Sequence, residues 1–387
     1  MNTATETARF AGLIGQGVEA IETPALVVDA EAVNRNMQRM AEFAEKHRLR
    51  LRPHAKLHKS ADIARLQMQA GAVGICVQTV GEAEALAAGG VNDIFISNEV
   101  VCPRKLRRVA GLAQMLKGRG GRLAIAVDSS EGVDYLAQAM ALTSAVIDVF
   151  IEINVGQNRC GVAPGAAAVA LVQRIVPRPT LRYAGLHAYH GGAQHLRSVA
   201  ERRAAIAEAA QHVAVTRDAL AEAGFAPPLI TGAGTGTFNL EAASGLWGEI
   251  QPGSFLFMDA DYARNERDPA QPAFEQALFI KSQVISVAAD HVVCDAGHKS
   301  HAVDCGLPLV HALPGQPDLT YANGGDEHGI LRPATPGGAL PALGDTVWLI
   351  PGHCDPTVNL HDMMVAVRGG LAEGTVSAVV RVDARGA

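Results

Sequence analysis

The sequence predicts an α/β protein with two parts: a TIM-like (β/α)8 barrel over residues 24–262, then a mostly β domain over 263–387 that residues 1–23 can join. Three observations carry this. Short apolar runs alternate with helical patterns through the first two thirds of the chain, and the strand-like runs between 51 and 260 number eight. An early GxGxxG, which would favour an open doubly wound sheet, is missing. After Ala263 the helical patterns stop and strand-like runs follow one another.

In chain order, TPALVVD (23–29) reads as a strand that fits either the barrel or the second domain. Val33, Met37, Met40 and Ala44 then form one helical stripe. The eight barrel strands are read at 51–54, 73–78, 93–97, 123–128, 149–154, 183–190, 228–232 and, as FLFMDA, 255–260. Ser60 is placed to cap a helix with Ile63, Leu66 and Ala70 on one face. Further helices are read at 81–88, 103–116, 132–141, 166–175 and 198–223. The polar stretch ARNERDPAQPA is a linker or long loop. Beyond it ALFIKSQVISV, HVVCDAG, TVWLIPG, MMVAVRGG and TVSAVVRV read as strands.

Composition narrows the function. The 387 residues are 48% hydrophobic and 19% charged, enough for two cores, and a net charge of −6 argues against a nucleic-acid surface. No apolar run reaches the roughly 20 residues that span a bilayer, and the N-terminus lacks a signal-peptide pattern, so the cytoplasm is expected. Six cysteines without a CxxC spacing are read as reduced thiols.

The chemistry-bearing residues fall at strand ends. In LRPHAKLHKS, period two places His54 and Lys56 together at the end of the first barrel strand. A lysine that is partly desolvated and close to other cations has a lowered pKa and an amine able to form a Schiff base. The loop after the seventh strand, Thr231-Gly-Ala-Gly234-Thr235-Gly236-Thr237, and Gly253-Ser254 beside the eighth stand where barrels bind phosphate. Arg159, Tyr189, His190 and His195 follow the fifth and sixth strands, and Gln78, Ser97 and Asn98 end the second and third. In PGHCDPT, His353 and Asp355 are two apart, so an extended segment would turn both the same way toward a divalent ion.

RPHAK resembles the cofactor-lysine motif of the D-threonine aldolase family, whose members are pyridoxal 5'-phosphate (PLP) enzymes with an alanine-racemase-like, fold type III barrel. The similarity continues in order through GICVQTVGEAEALAAGG, DIFISNEVV, GQNRCGV, AYHGGAQH, GAGTGTFN, QPGSFLFMDADY, DEHG and PGHCDPTVNLHD, from about Thr23 to Arg385. It implies PLP on Lys56 with Arg159 beside it, and the strand-end placement adds Gln78, Tyr189, Thr231, Gly234, Thr235, Gly236, Gly253 and Ser254 around the cofactor. It implies catalytic parts for His54 and His195, a divalent ion (Mn²⁺ or Mg²⁺) on His353 and Asp355, and a homodimer. Related D-serine dehydratases resemble His-x-Cys zinc sites, and Asp355 in the second position favours the aldolase.

The expected reaction is cleavage of D-3-hydroxy-amino acids such as D-threonine to glycine and an aldehyde. The alternatives are a D-3-hydroxyaspartate aldolase giving glyoxylate, a D-serine or 3-hydroxyaspartate dehydratase, and, more remotely, a non-catalytic PLP-binding protein. A second substrate carboxylate would need another cation, for which Arg197, His298 and Lys299 are the candidates. Asp326-Glu327-His328-Gly329 is expected to shape the pocket from the same or a partner subunit.

Overall fold

The computed structural model describes residue 10 and residues 12–387. Eight parallel strands form the barrel: β2 (Arg50–Leu51), β3 (Ile75–Val77), β4 (Asp93–Ile96), β5 (Arg122–Val127), β6 (Ile147–Glu152), β7 (Leu181–Ala188), β8 (Ile230–Gly232) and β9 (Glu249–Ile250), numbered after an earlier strand, β1 (Ala25–Asp29). Their order is β2-β9-β8-β7-β6-β5-β4-β3, and a parallel bridge between His54 and Cys76 joins the two end strands. Strand residues such as Ile75, Ile94, Val149 and Ile151 are fully buried against the surrounding helices, which is why these strands read as apolar runs.

The eighth strand departs from expectation. FLFMDA is not a strand: Ser254–Leu256 is a 3-10 turn and Ala260–Ala263 a short helix. The strand is instead β9, whose neighbour Gln251 and own Glu249 turn polar side chains into the barrel. Phe255, Leu256 and Phe257 are all buried, and a short apolar run buried all round has no period that separates strand from helix. Ser60 does precede the helix Ala61–Gln69, but its hydroxyl makes no capping bond, and Leu66 is 47% exposed rather than on the buried face.

The second sheet holds nine strands. β10 (Leu278–Val287), β11 (Val292–Cys294), β15 (Thr346–Ile350), β16 (Met363–Arg368) and β17 (Thr375–Arg381) fall on expected runs. β12 (Leu309–His311), β13 (Leu319–Asn323) and β14 (Gly329–Pro333) do not; they are short and partly exposed, with little alternation. β1 lies inside this sheet, antiparallel to β10 and parallel to β16. Hydrogen bonding therefore assigns Ala25–Asp29 to the second sheet, not to the barrel that residues 24–262 were expected to form. The segment at Gly15–Val18 also pairs there, with Gly374–Val376.

The helix Ala30–Lys46 links the two halves. Asp29 caps it through Glu31 and Ala32 N–H, and its expected stripe of Val33, Met37, Met40 and Ala44 is buried between barrel and sheet. Lys59, at φ +50°, is not a solvated basic residue: Nζ bonds Asn359 Oδ1 and the Ala387 carbonyl, both at 2.9 Å, and lies 3.5 Å from Glu82. Removing one partner of such a buried pair costs about 3 kcal/mol. Lys59→Ala is therefore expected to lower thermal stability by about that amount, read by melting, yet to keep the visible absorption that the resemblance leads one to expect from a cofactor on Lys56.

Candidate active site

At the C-terminal end of the barrel a cavity opens to solvent, lined by residues from the strand ends and from the second sheet. Lys56 enters it from a 3-10 turn, Ala55–Leu57, rather than from a strand. His54 caps that turn: Nδ1 accepts the Lys56 N–H at 3.2 Å, and Nε2 faces Gln78 Oε1 at 3.1 Å and Ser97 Oγ at 3.3 Å. Burial, with the Lys56 ammonium next, holds His54 well below the usual imidazole range, so the ring is neutral. Lys56 itself departs from expectation. Asp355 Oδ2 lies 3.4 Å from Nζ, and this carboxylate outweighs burial and raises the lysine pKa instead of lowering it.

Gly234, Thr235, Gly253 and Ser254 line the cavity. A Cβ on Gly234 would stand 2.5 Å from Gln194 Oε1 and one on Gly253 3.0 Å from the His54 carbonyl, so both positions are shaped for close backbone approach. Thr231 and Gly236, expected in this cradle, do not line the cavity. The Thr231 hydroxyl bonds Glu249 and Gln251, and the Gly236 N–H bonds Gln194 Oε1 at 2.8 Å. The cavity also takes in Gln78, Arg159 and Tyr189, with the Arg159 guanidinium 5.8 Å from the Tyr189 ring centre.

His195 lines the cavity, and its Nδ1 meets Asp261 Oδ2 at 2.7 Å. Arg197 holds the other side of that carboxylate through Asp261 Oδ1. A carboxylate on Nδ1 keeps the proton there and leaves Nε2 as an acceptor. His190, the neighbouring candidate, lies outside the cavity lining and its Nδ1 accepts the Ala193 N–H at 3.3 Å.

His353 and Asp355 come together, but not as an extended pair. His353 stands at the N-terminal boundary of the short helix Cys354–Val358 without a side-chain capping bond, and Asp355 lies in its first turn, with His353 Nε2 3.9 Å from Asp355 Oδ2. Two coordination bonds of about 2.1 Å can bridge that gap. His353 Nδ1 is held by Asp304 Oδ2 at 2.7 Å, which aims Nε2 at Asp355. Asp355 Oδ1 is buried without a hydrogen-bond partner, as expected of an oxygen built for a ligand. These donors fit a hard divalent ion.

Asp259 fastens this second-sheet segment to the barrel. It accepts from Tyr262 N–H at 2.9 Å and Cys354 N–H at 3.0 Å, capping the helices that carry Asp261 and Asp355. Burial pushes its carboxyl up to about 6. The expected second-carboxylate cations stand elsewhere: Arg197 is engaged by Asp261 and Asn265, while His298 and Lys299 pair with Asp326 and Glu327 away from the cavity.

Sequence reasoning missed His187, Gln251 and Tyr262, all in the cavity wall. His187 was detectable, since it lies two residues before Tyr189 on the same strand run; Asp304 carries no local signal. His187 Nδ1 meets Glu152 Oε2 at 2.9 Å and Nε2 meets Gln251 Oε1 at 3.3 Å. Gln251 Nε2 donates to Thr231 Oγ1, whose proton goes to Glu249, which in turn accepts from Arg52. Glu152 and Gln251 thus each turn an oxygen to a ring nitrogen of His187, and the Glu152 carboxylate raises the imidazole pKa against burial.

Residues 28–261 match the family model "Alanine racemase, N-terminal domain", and residues 277–367 match "Putative serine dehydratase domain". A D-threonine aldolase of an Arthrobacter species is 43% identical, over 96% of this chain and 95% of its own. A 3-hydroxy-D-aspartate aldolase of Paracoccus denitrificans is 39% identical, over 97% and 95%. The crystal structure of a D-threonine aldolase from Filomicrobium marinum superposes with a TM-score of 0.91 at 43% identity, over 96% of this chain and 98% of that one.

Proposed function

Because the chain belongs to the D-threonine aldolase family, we propose that it is a PLP- and divalent-metal-dependent aldehyde-lyase cleaving D-3-hydroxy-amino acids such as D-threonine to glycine and an aldehyde. The observation that carries this reading is the convergence in one cavity of Lys56, the His195–Asp261 pair and His353 with Asp355, whose Oδ1 has no partner.

Lys56, Arg159, Tyr189 and the backbone about Gly234, Thr235, Gly253 and Ser254 would hold PLP, which would supply an electron sink for the pair left on Cα. His353 Nε2 and Asp355 would hold a divalent ion such as Mn²⁺ or Mg²⁺, which would supply stabilisation of negative charge on the substrate's β-oxygen. His195 Nε2 takes the hydroxyl proton as the Cα–Cβ bond breaks, and Asp261 steadies the imidazolium formed. Neutral His54, with its one ring proton on Nε2 toward Gln78 Oε1, fixes the Lys56 backbone and takes no part in proton transfer. Among the described residues lining the cavity the only lysine and arginine are Lys56 and Arg159, so a second substrate carboxylate would have to be met by the lining histidines. No described helix is long and apolar enough to cross a membrane; we place the enzyme in the cytoplasm as a homodimer.

Glycine, aldehyde and ammonia measured in parallel on D-threonine, D-serine and D-3-hydroxyaspartate test the assignment. Glycine and aldehyde from D-threonine without ammonia are expected. Ammonia without glycine would make it a dehydratase, and a strong preference for 3-hydroxyaspartate would move it to the other aldolase class. The phosphate cradle has its own test. Gly234→Asp puts a negative charge into the loop that would hold the phosphate, and two like charges about 5 Å apart repel by about 3 kcal/mol at an effective dielectric of about 20. PLP affinity should fall about 100-fold, and Gly234→Ala separates crowding of Gln194 from charge. Unchanged affinity in a folded Asp variant would count against the cradle.

A further inference from the structure

On the side of His353 away from Asp355, three different donor atoms meet. Asp304 Oδ2 lies 2.7 Å from His353 Nδ1, and Cys305 Sγ lies 3.5 Å from each of them. Their ligand atoms all fall within 4.8 Å of one another. Imidazole nitrogen, thiolate sulfur and carboxylate oxygen, with water in the fourth place, form the donor set of an open zinc site. In a tetrahedral zinc centre with bonds of about 2.0 Å to nitrogen and oxygen and about 2.3 Å to sulfur, both atoms stand about 3.5 Å from the sulfur. Both sulfur distances already have that value. Only the nitrogen–oxygen separation must open, to about 3.3 Å in the same geometry, and the Asp304 side chain, 50% exposed, has the room to move.

We propose that Asp304, Cys305 and His353 Nδ1 form a second metal site, selective for soft four-coordinate ions such as Zn²⁺. Softness separates it from the pair on the other face of the ring. The thiolate favours zinc over Mn²⁺ or Mg²⁺, whereas a carboxylate and waters suit the harder ions. Proton balance couples the two faces. As the metal–sulfur bond forms, the thiol proton leaves to solvent. A neutral ring bound through Nδ1 keeps its one proton on Nε2, where it faces Asp355. That nitrogen can no longer hold the hard ion, so zinc on one face displaces Mn²⁺ from the other. The displacement rests on the proposed role of His353 and Asp355; the soft site does not.

The test uses PLP-loaded enzyme stripped of metal and titrated with Co²⁺, whose four-coordinate thiolate complexes absorb strongly in the visible at longer wavelength than the cofactor. Wild type and Asp355→Ala should both show this absorption. Cys305→Ser and Asp304→Asn should lose it while keeping the cofactor band that reports folding. Cys160→Ser, in the other mixed cluster with Glu99 and Glu152, should retain it. Zn²⁺ affinity, by competition with Co²⁺, should fall in Cys305→Ser by at least the about 10–100-fold that follows loss of an outer-shell partner. No such absorption in wild type, or its persistence in folded Cys305→Ser, overturns the site. If the absorption behaves as expected but Zn²⁺ leaves Mn²⁺-supported cleavage untouched, the soft site stands and the assignment of the hard ion to His353 and Asp355 fails.

Discussion

Asp355→Ala is expected to abolish aldol cleavage and leave the visible absorption of the lysine-bound cofactor intact, and thorough chelation of the wild type should do the same. An alcohol is a poor acid near neutral pH, and retro-aldol cleavage needs its oxygen to gain negative charge. A divalent ion contributes several kcal/mol to that step, at least about 100-fold in rate. The residues proposed for the cofactor (Lys56, Arg159, Gly234 and Gly253) share the cavity with His353 and Asp355, and the contact between Lys56 Nζ and Asp355 Oδ2 at 3.4 Å joins the two sets. Mn²⁺ or Mg²⁺ should restore chelated wild type and not the variant. Full-rate glycine release from chelated enzyme would return His353 and Asp355 to a structural turn.

Lys56→Ala should lose both the lysine-bound cofactor band and activity. Two lysines stand in the RPHAKLHK stretch, and the structure separates them: Lys56 faces the cavity, while Lys59 is tied to Asn359, Ala387 and Glu82 beneath it. Borohydride reduction followed by peptide mapping should mark Lys56 alone. A label on Lys59 would overturn the assignment.

The barrel was legible where strands are buried on both faces. Ile75–Val77, Asp93–Ile96 and Ile147–Glu152 are apolar runs bounded by turns, and seven of eight fell within a few residues. The eighth was hidden because its inward positions, Glu249 and Gln251, are polar members of the hydrogen-bonded chain inside the barrel, while the nearby FLF run is apolar for a different reason: it packs between barrel and second sheet. β12, β13 and β14 were missed because partial exposure removes the hydrophobic period. In the site, residues just past strand ends were readable: Lys56, Arg159, Tyr189 and Gly234 all reach the cavity. His353 and Asp355 also converge, at the start of a short helix rather than through a strand's alternation. Spacing could not tell which glycine-loop groups face outward, so Thr231 and Gly236 were over-read. Nor could it supply Asp304 and Asp261, which reach His353 and His195 across long sequence separations.

The place of β1 has a consequence for how the chain is made. Val27 pairs with Phe279 on one edge and with Val365 on the other. A ribosome releases the segment Ala25–Asp29 first, and neither neighbour exists until the barrel has been synthesised. Meanwhile Leu26 and Val27, almost wholly buried at the end, remain an apolar strand with two open edges, the kind of segment that pairs with the wrong chain. The order of biosynthesis thus makes the barrel the first body able to close. The second sheet, and with it the segment that brings His353 and Asp355 to the cavity, assembles last, so a chain stalled before β15 holds Lys56 without either of them.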